Sequence, residues 1–220
     1  MAAQRPTHQL VVSRDCPLES RLGMSVLVHL VKWGLGLTRP EVWTTEAERE
    51  CLARRAAGRR RVAEVGVWHA GTTCVLRAAM AADGTIFAID PYERGRLGFS
   101  IPRLVGRREL GRVRNGRVVW VRATGSAAAR SAAFRDGPRF DFVFIDAAQT
   151  YEALREEWEA WSPLIQINGV IALHDSRPMP GETKEQSSVR YSRDIIASDP
   201  RFETLDEVDS LTVLRRRADA

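Results

Sequence analysis

Cysteine is scarce in this chain of 220 residues: Cys16, Cys51 and Cys74 form no CxxC pair and no even framework. That excludes a disulfide-stapled secreted module and a structural zinc site, and it predicts a reducing, cytoplasmic setting. Long apolar runs are missing too. None reaches the roughly 18 residues of a membrane span, and the first residues lack the charged-then-apolar order of an export signal. Lysine is almost absent, with Lys32 and Lys184 the two among 33 basic residues. The remaining arginines give a formal net charge of +5, but they are scattered, as in Arg59–Arg61, Arg107–Arg108 and Arg215–Arg217. They carry no interleaved aromatics of the kind that stack single-stranded bases, so they read as solvated surface and no nucleic-acid partner is expected. Two glycine signatures are also lacking. There is no Gly-x4-Gly-Lys-Ser/Thr, which excludes a P-loop, and no Gly-x-Gly-x-x-Gly, which argues against a dinucleotide fold.

What the chain does have is the stretch Val62–Thr73, Val-Ala-Glu-Val-Gly-Val-Trp-His-Ala-Gly-Thr-Thr. A short apolar run ends in Glu64 and Gly66, and an apolar helical pattern opens after Gly71. This predicts a buried strand, a tight turn and a helix start whose free N–H groups and positive dipole end face a ligand. A second strand, Thr85–Ile89, finishes in Asp90, at the distance past the turn where nucleotide-binding βαβ units place a ribose-binding acid. A nucleoside cofactor is the ligand this pattern fits.

The alternation continues. Thr44–Glu48 predicts a capped helix start with Leu52, Ala56 and Ala57 inward, and Gly58 as its stop. Further strands are expected at Val118–Val121, Phe140–Asp146 and Gly169–Asp175. Helices are expected over about Pro102–Leu110, from Gly125-Ser126 to Phe134, over Tyr151–Trp161 and over Ser192–Ala197. A closing hairpin is read from Phe202–Leu205 and Leu211–Leu214. Strands alternating with helices imply a parallel sheet, with ligands beyond the carboxyl ends of its strands. Glu64, Gly66, Asp90, Asp146, His174 and Asp175 all fall at such ends. The predicted organisation is a helical or irregular appendage over residues 1–43 and one α/β domain over 44–220. The apolar segment Leu22–Leu37 suits helix packing or a homodimer contact. Glu93–Gly98 and Met179–Ser188 read as loops beside the site.

In order and spacing, Glu-Val-Gly-x4-Gly-Thr-Thr, Ala-Ile-Asp90-Pro-Tyr, Phe-Asp-Phe-Val-Phe-Ile-Asp146 and Gly-Val-Ile-Ala-Leu-His-Asp175-Ser resemble class I S-adenosylmethionine-dependent methyltransferases. Within that group the chain is most similar to the bacterial small-molecule O-methyltransferases of the methyltransferase-24 family, over about Thr44 to Arg215. The resemblance implies a Rossmann-like three-layer sandwich with a mostly parallel seven-stranded sheet and an antiparallel last strand. It implies S-adenosylmethionine as cofactor, held by Glu64, Gly66, Trp68, Gly71, Thr72, Asp90, Pro91, Tyr92, Gly125, Ser126 and Asp146. Asp90 would take the ribose hydroxyls, Tyr92 would lie beside the adenosine, and Gly125-Ser126 would border the adenine. Related enzymes activate an acceptor hydroxyl with a divalent ion, and Asp146 and Asp175 match such ligand positions, with Mg²⁺ the favoured ion. Asp146, His174 and Gln149 are the implied catalytic residues, with His174 a substitute general base. The family's usual Ile-Asp-Gly-Asp-His-Ser-Tyr reads Ile145-Asp146-Ala147-Ala148-Gln149-Thr150-Tyr151 here, so the second acid and the histidine are replaced.

The expected function is methylation of a small-molecule hydroxyl, on a sugar or a secondary metabolite. The altered Ala147-Ala148-Gln149 segment keeps a second reading open, in which the same fold binds the cofactor for another reaction or without turnover. A nucleic-acid methyltransferase is a third, motivated by the positive balance alone.

Overall fold

Short β-branched and aromatic runs separated by helical patterns fold, in a computed structural model, into a sheet with helices on both faces. The structure describes residues 33, 40–95, 98–179, 181 and 186–217. The chain divides into two units, Met1–Arg39 and Pro40–Ala220. Apart from Trp33 the first unit lies outside the described residues, and the expectations for Leu22–Leu37 lie there with it.

The strands are β1 (Arg61–Val65), β2 (Thr85–Ile89), β3 (Arg117–Val121), β4 (Phe140–Ile145), β5 (Ile165–Leu173), β6 (Phe202–Val208) and β7 (Leu211–Arg216). Their spatial order is β3-β2-β1-β4-β5-β7-β6. β7 runs antiparallel to both β5 and β6, while the five strands from β3 to β5 pair in parallel. This is the predicted sheet with its reversed last strand. The order doubles back at β1, whose neighbours are β2 and β4, so the crevice for a ligand opens above the ends of these strands. Their registers make those ends level: Val65 pairs with Ile89 on one side and Ile145 on the other, and Ile145 pairs with Leu173.

Alternation along the strands builds two cores. Ala63, Val65, Phe140 and Val143 face a layer containing Phe134, Leu154, Trp158 and Trp161. Val62, Phe142 and Phe144 face the opposite layer, with Leu52, Leu76 and Met80. The second layer contains α1 (Glu46–Ala56) and α2 (Gly71–Ala79), and α3 (Ile101–Arg112) packs beside α2. The first contains α4 (Gly125–Ala129), α5 (Ala132–Arg135), α6 (Tyr151–Trp161) and α7 (Ser187–Asp194). No helix among the described residues is long and apolar enough to cross a membrane.

Three boundaries differ from expectation. The helix read from Gly125 to Phe134 is two short pieces, because the Ser131 hydroxyl donates to the Ala128 carbonyl (2.6 Å) and competes with helix continuation. α7 starts at Ser187 rather than Ser192, tied by a hydrogen bond from the Ser188 hydroxyl to the Asp175 carbonyl (2.8 Å). Ala57, expected inward, is exposed as the C-cap of α1, with Gly58 following at φ +71°.

Candidate active site

The glycine turn after β1 is built by what it must avoid. Gly66 leaves the strand at φ +88°, and a Cβ there would stand 2.6 Å from the Asp146 backbone oxygen. No side chain fits, so the exit of β1 lies directly against that of β4. The turn then passes through two non-glycine residues in the left-handed region, Trp68 (φ +48°) and Ala70 (φ +62°). Such conformations cost on the order of 1–2 kcal/mol each, so the surroundings must hold them.

Asp90 does much of this. Its Oδ2 accepts from the Val67 and Trp68 N–H groups (3.0 and 3.1 Å), and its Oδ1 accepts from Tyr92 N–H (2.7 Å). A carboxylate offers about four acceptor positions, so three are occupied by backbone and Oδ1 keeps one. Tyr92, itself at φ +42°, is buried and donates its hydroxyl to the Trp68 carbonyl (3.2 Å). It therefore lies beneath the turn, against Trp120. Pro91 is exposed, and its carbonyl accepts from Arg122 (3.1 Å).

The segment from Pro40 to Thr45 lies across the turn. Val42 covers Gly71, Glu41 N–H donates to His69 Nδ1 (3.2 Å), and the Trp68 indole donates to the Glu41 carboxylate (3.3 Å). The Thr44 and Thr72 hydroxyls meet at 3.1 Å. α2 opens at Gly71 with no side-chain cap on Ala70, so its first amides have no partner within the helix. Glu64 stands under this turn, wholly buried, with Oε2 making no hydrogen bond. Burial, reinforced by the nearby Asp146 and Asp90, lifts it well above the usual carboxylate range. An orphaned buried carboxyl beneath a pocket of free amides fits a ligand that carries a cationic group and an anionic one. At the far side, Gly125-Ser126 is fixed by a residue that sequence reasoning missed. Glu157 of α6 accepts from Ser126 N–H and from the Trp161 indole, both at 3.1 Å, and a Cβ at Gly125 would run into that carboxylate and Val65.

The ends of β4 and β5 bring Asp146, His174 and Asp175 together around an unforeseen fourth group. His174 Nδ1 lies 2.7 Å from Asp146 Oδ1 and 3.7 Å from Asp175 Oδ1, while Nε2 lies 3.3 Å from Glu48 Oε2. Glu48 is fully buried, and its other oxygen accepts from Ser210 N–H (2.9 Å) and the Ser210 hydroxyl (2.8 Å). Burial alone would lower the His174 pKa, but the two carboxylates outweigh it and hold the ring up to about 10. Burial likewise opposes ionisation of Glu48, yet His174, Thr45 and Ser210 bring it down to about 2. The ring's side chain is 3 % exposed and both nitrogens face carboxylates, surroundings that favour its protonated form. Protonation occupies the lone pair a general base would use, so this geometry favours Asp146 over His174 as the group that takes a proton. The signal for Glu48 was legible in one respect: Thr45-x-x-Glu48 is a capping box, with Thr45 N–H donating to Glu48 Oε2 (2.8 Å).

The donor set at Asp146 and Asp175 does not fit a divalent ion. Asp146 is paired with a fixed cation, Asp175 Oδ2 accepts from the Gln149 amide (3.4 Å), and Ala148 and Gln149 supply no further anionic ligand. Among the described residues, no group of three or more His, Cys, Asp or Glu is placed to hold a metal. Asp146 itself, with its side chain 19 % exposed, opens toward the crevice, and Gln149 is exposed beside it. Cys74 is inert, its thiol pushed up to about 11 by burial.

A family model described as "Methyltransferase domain" matches residues 63–176, which contain the glycine turn, Asp90, Asp146 and Asp175. Solved structures with the same fold include the O-methyltransferase TomG from Streptomyces achromogenes, involved in tomaymycin synthesis and in complex with SAM. It is 15% identical, with 95% of this chain and 93% of that one covered and a TM-score of 0.63. An O-methyltransferase from Bacillus cereus in complex with SAH is 19% identical, with 87% and 91% covered and a TM-score of 0.59. An rRNA methylase from Streptococcus thermophilus is 10% identical, with 81% and 100% covered and a TM-score of 0.53. At these identities the likeness is one of fold, and the fold alone does not choose the acceptor.

Proposed function

Because the chain belongs to the methyltransferase-24 family of class I S-adenosylmethionine-dependent methyltransferases, we propose that it methylates a hydroxyl group of a small molecule, without a metal at Asp146 and Asp175. The observation that carries this reading is the 2.7 Å pairing of a partly exposed carboxylate, Asp146, with the buried His174 at the end of β4, whose exit lies against the glycine turn. S-adenosylmethionine supplies a methyl group on a sulfonium, whose transfer to oxygen breaks an S–C bond, forms a C–O bond and releases the hydroxyl proton. The chain's residues supply the rest. The amides at the start of α2 would hold the carboxylate of the methionine end, Glu64 would face its positive charge, and the remaining acceptor position of Asp90 would take a ribose hydroxyl. Val42 and Trp68 shield the turn from water. Gln149 hydrogen-bonds the acceptor, and Asp146 takes its proton as the oxygen loses basicity late in the transfer. His174 orients Asp146 and opposes the burial that pushes its carboxyl upward.

The test is calorimetric and kinetic. S-adenosylhomocysteine should bind the wild-type protein and Asp146→Asn with Kd values within about threefold of each other. Labelled-methyl transfer to a panel of phenols, sugars and hydroxy acids should fall about 100-fold or more in the variant, the scale of a lost general base, and EDTA should leave wild-type turnover unchanged. Absence of S-adenosylhomocysteine binding would sink the reading, and loss of turnover on chelation would reinstate the metal. The Ala147-Ala148-Gln149 segment favours one competitor, cofactor binding without catalysis. Its signature is tight binding with no turnover across the whole panel.

A further inference from the structure

Beyond the Asp90 end of the crevice lies a cavity of about 310 Å³ that the methyl-transfer reading does not use. Four guanidinium groups line it from three elements: Arg94 from the loop after β2, Arg103 and Arg107 from one face of α3, and Arg122 from the end of β3. No acidic residue is among its lining. Arg122 is fixed by hydrogen bonds from Nε to the Pro91 carbonyl (3.1 Å) and from Nη2 to the Tyr92 carbonyl (2.9 Å). Arg94, Arg103 and Arg107 make no hydrogen bond or ion pair with any described residue. Arg103 and Arg107 are one helical turn apart, a spacing at which like charges repel. With no carboxylate in the described lining to offset them, these charges are open to an anionic ligand.

The lining also has an apolar part. Phe99 is 46 % exposed and Leu104 is 50 % exposed, and both border the same cavity. Guanidinium forks match phosphate oxygens in pairs, and several forks match a dianion better than a monocarboxylate. The volume sits at the small end of ligand pockets, enough for a phosphoryl group and one ring. We propose that this cavity binds an organic phosphate monoester, its phosphoryl group on the arginines and its apolar body against Phe99 and Leu104. Strands lie about 4.8 Å apart, and β2 and β3 stand two to four places from β4 and β5, so the cavity is on the order of 10–20 Å from Asp146. It is a separate site, joined to the crevice through Tyr92, whose N–H binds Asp90 and whose carbonyl binds Arg122.

The probes are phenyl phosphate, inorganic phosphate and phenol, titrated calorimetrically at one ionic strength into wild-type protein and into the double variant Arg103→Gln, Arg107→Gln. Phenyl phosphate should bind the wild type at least tenfold more tightly than inorganic phosphate or phenol, and at least tenfold more weakly to the variant. S-adenosylhomocysteine should bind both proteins within twofold, with phenyl phosphate present or absent. Arg107 is exposed and Arg103 half-buried, and an unchanged melting temperature will show that the variant is folded. Equal affinity for phenyl and inorganic phosphate overturns the apolar half of the site. Phenyl phosphate binding that the variant leaves intact overturns the site altogether, and so does its displacement by S-adenosylhomocysteine. None of these outcomes depends on whether the protein turns over.

Discussion

Glu64 occupies a position where a charge cannot be kept without a partner. It is buried on β1 with Oε2 unbonded, and burial favours its neutral form. A cationic ligand seated above it would favour the ionised form and pull its pKa down, so binding and deprotonation are linked. Binding of S-adenosylmethionine should therefore release protons. Calorimetric heats measured in buffers of different ionisation enthalpy will report it. Affinity should also rise with pH. Glu64→Gln, nearly isosteric and neutral, should keep the fold, abolish the proton release and weaken binding about tenfold, which corresponds to about 1.4 kcal/mol. Proton release that persists in this variant would assign it to another group.

The glycine turn is a problem of elements rather than of single side chains, since β1, α2 and the Pro40–Thr45 segment meet within one layer of atoms. Gly71 shows it most simply: its φ is ordinary, and glycine is required there only because Val42 lies on it. Gly71→Ala should overpack this contact by about 1–3 kcal/mol, lowering the melting temperature by several degrees in a chain of this size. Val42→Ala in the same chain should recover most of that loss, because the Val42 methyls are the nearest obstacles and its Cβ, at 3.3 Å, needs only a small shift. Failure of the second substitution to rescue the first would place the strain elsewhere. The same distinction explains what was legible in the sequence. Strand, turn, helix start and strand-end acid are local patterns, so Val62–Thr73, Asp90 and the seven strands along the chain could be read in advance. Glu157 beneath Gly125-Ser126 could not, since on its own helix it is one more polar residue in an amphipathic pattern. Its role exists only across 31 positions of chain. His174 and Asp146 were legible as a place but not as a charge state, because that state depends on Glu48, 126 positions away.

At the scale of the whole molecule, the Glu48–His174–Asp146 chain fastens α1, the ends of β4 and β5, and the β6–β7 turn through Ser210. Its stability contribution has a defined pH window. Glu48 is depressed to about 2 from 4.5, so its share is complete above about pH 4.5 and is lost as pH falls toward 2. His174 is raised to about 10 from 6.5, so its share is complete below about pH 6.5 and is lost as pH rises toward 10. Both act fully between about pH 4.5 and 6.5, where the melting temperature should be highest. Removing one member of a buried pair costs about 3–5 kcal/mol, and at roughly 2–4 °C per kcal/mol Glu48→Gln should melt on the order of 10 °C lower at pH 6. It should also flatten the decline between pH 6.5 and 10, because His174 then keeps one carboxylate partner fewer. Cys51 and Cys74, both raised to about 11, contribute to alkaline destabilisation equally in the two proteins. The difference between the wild-type and variant curves therefore isolates the network. Melting curves that stay parallel from pH 6 to 10 would mean that His174 is neutral in the folded protein. In that case the base withheld from it above would have to be given back.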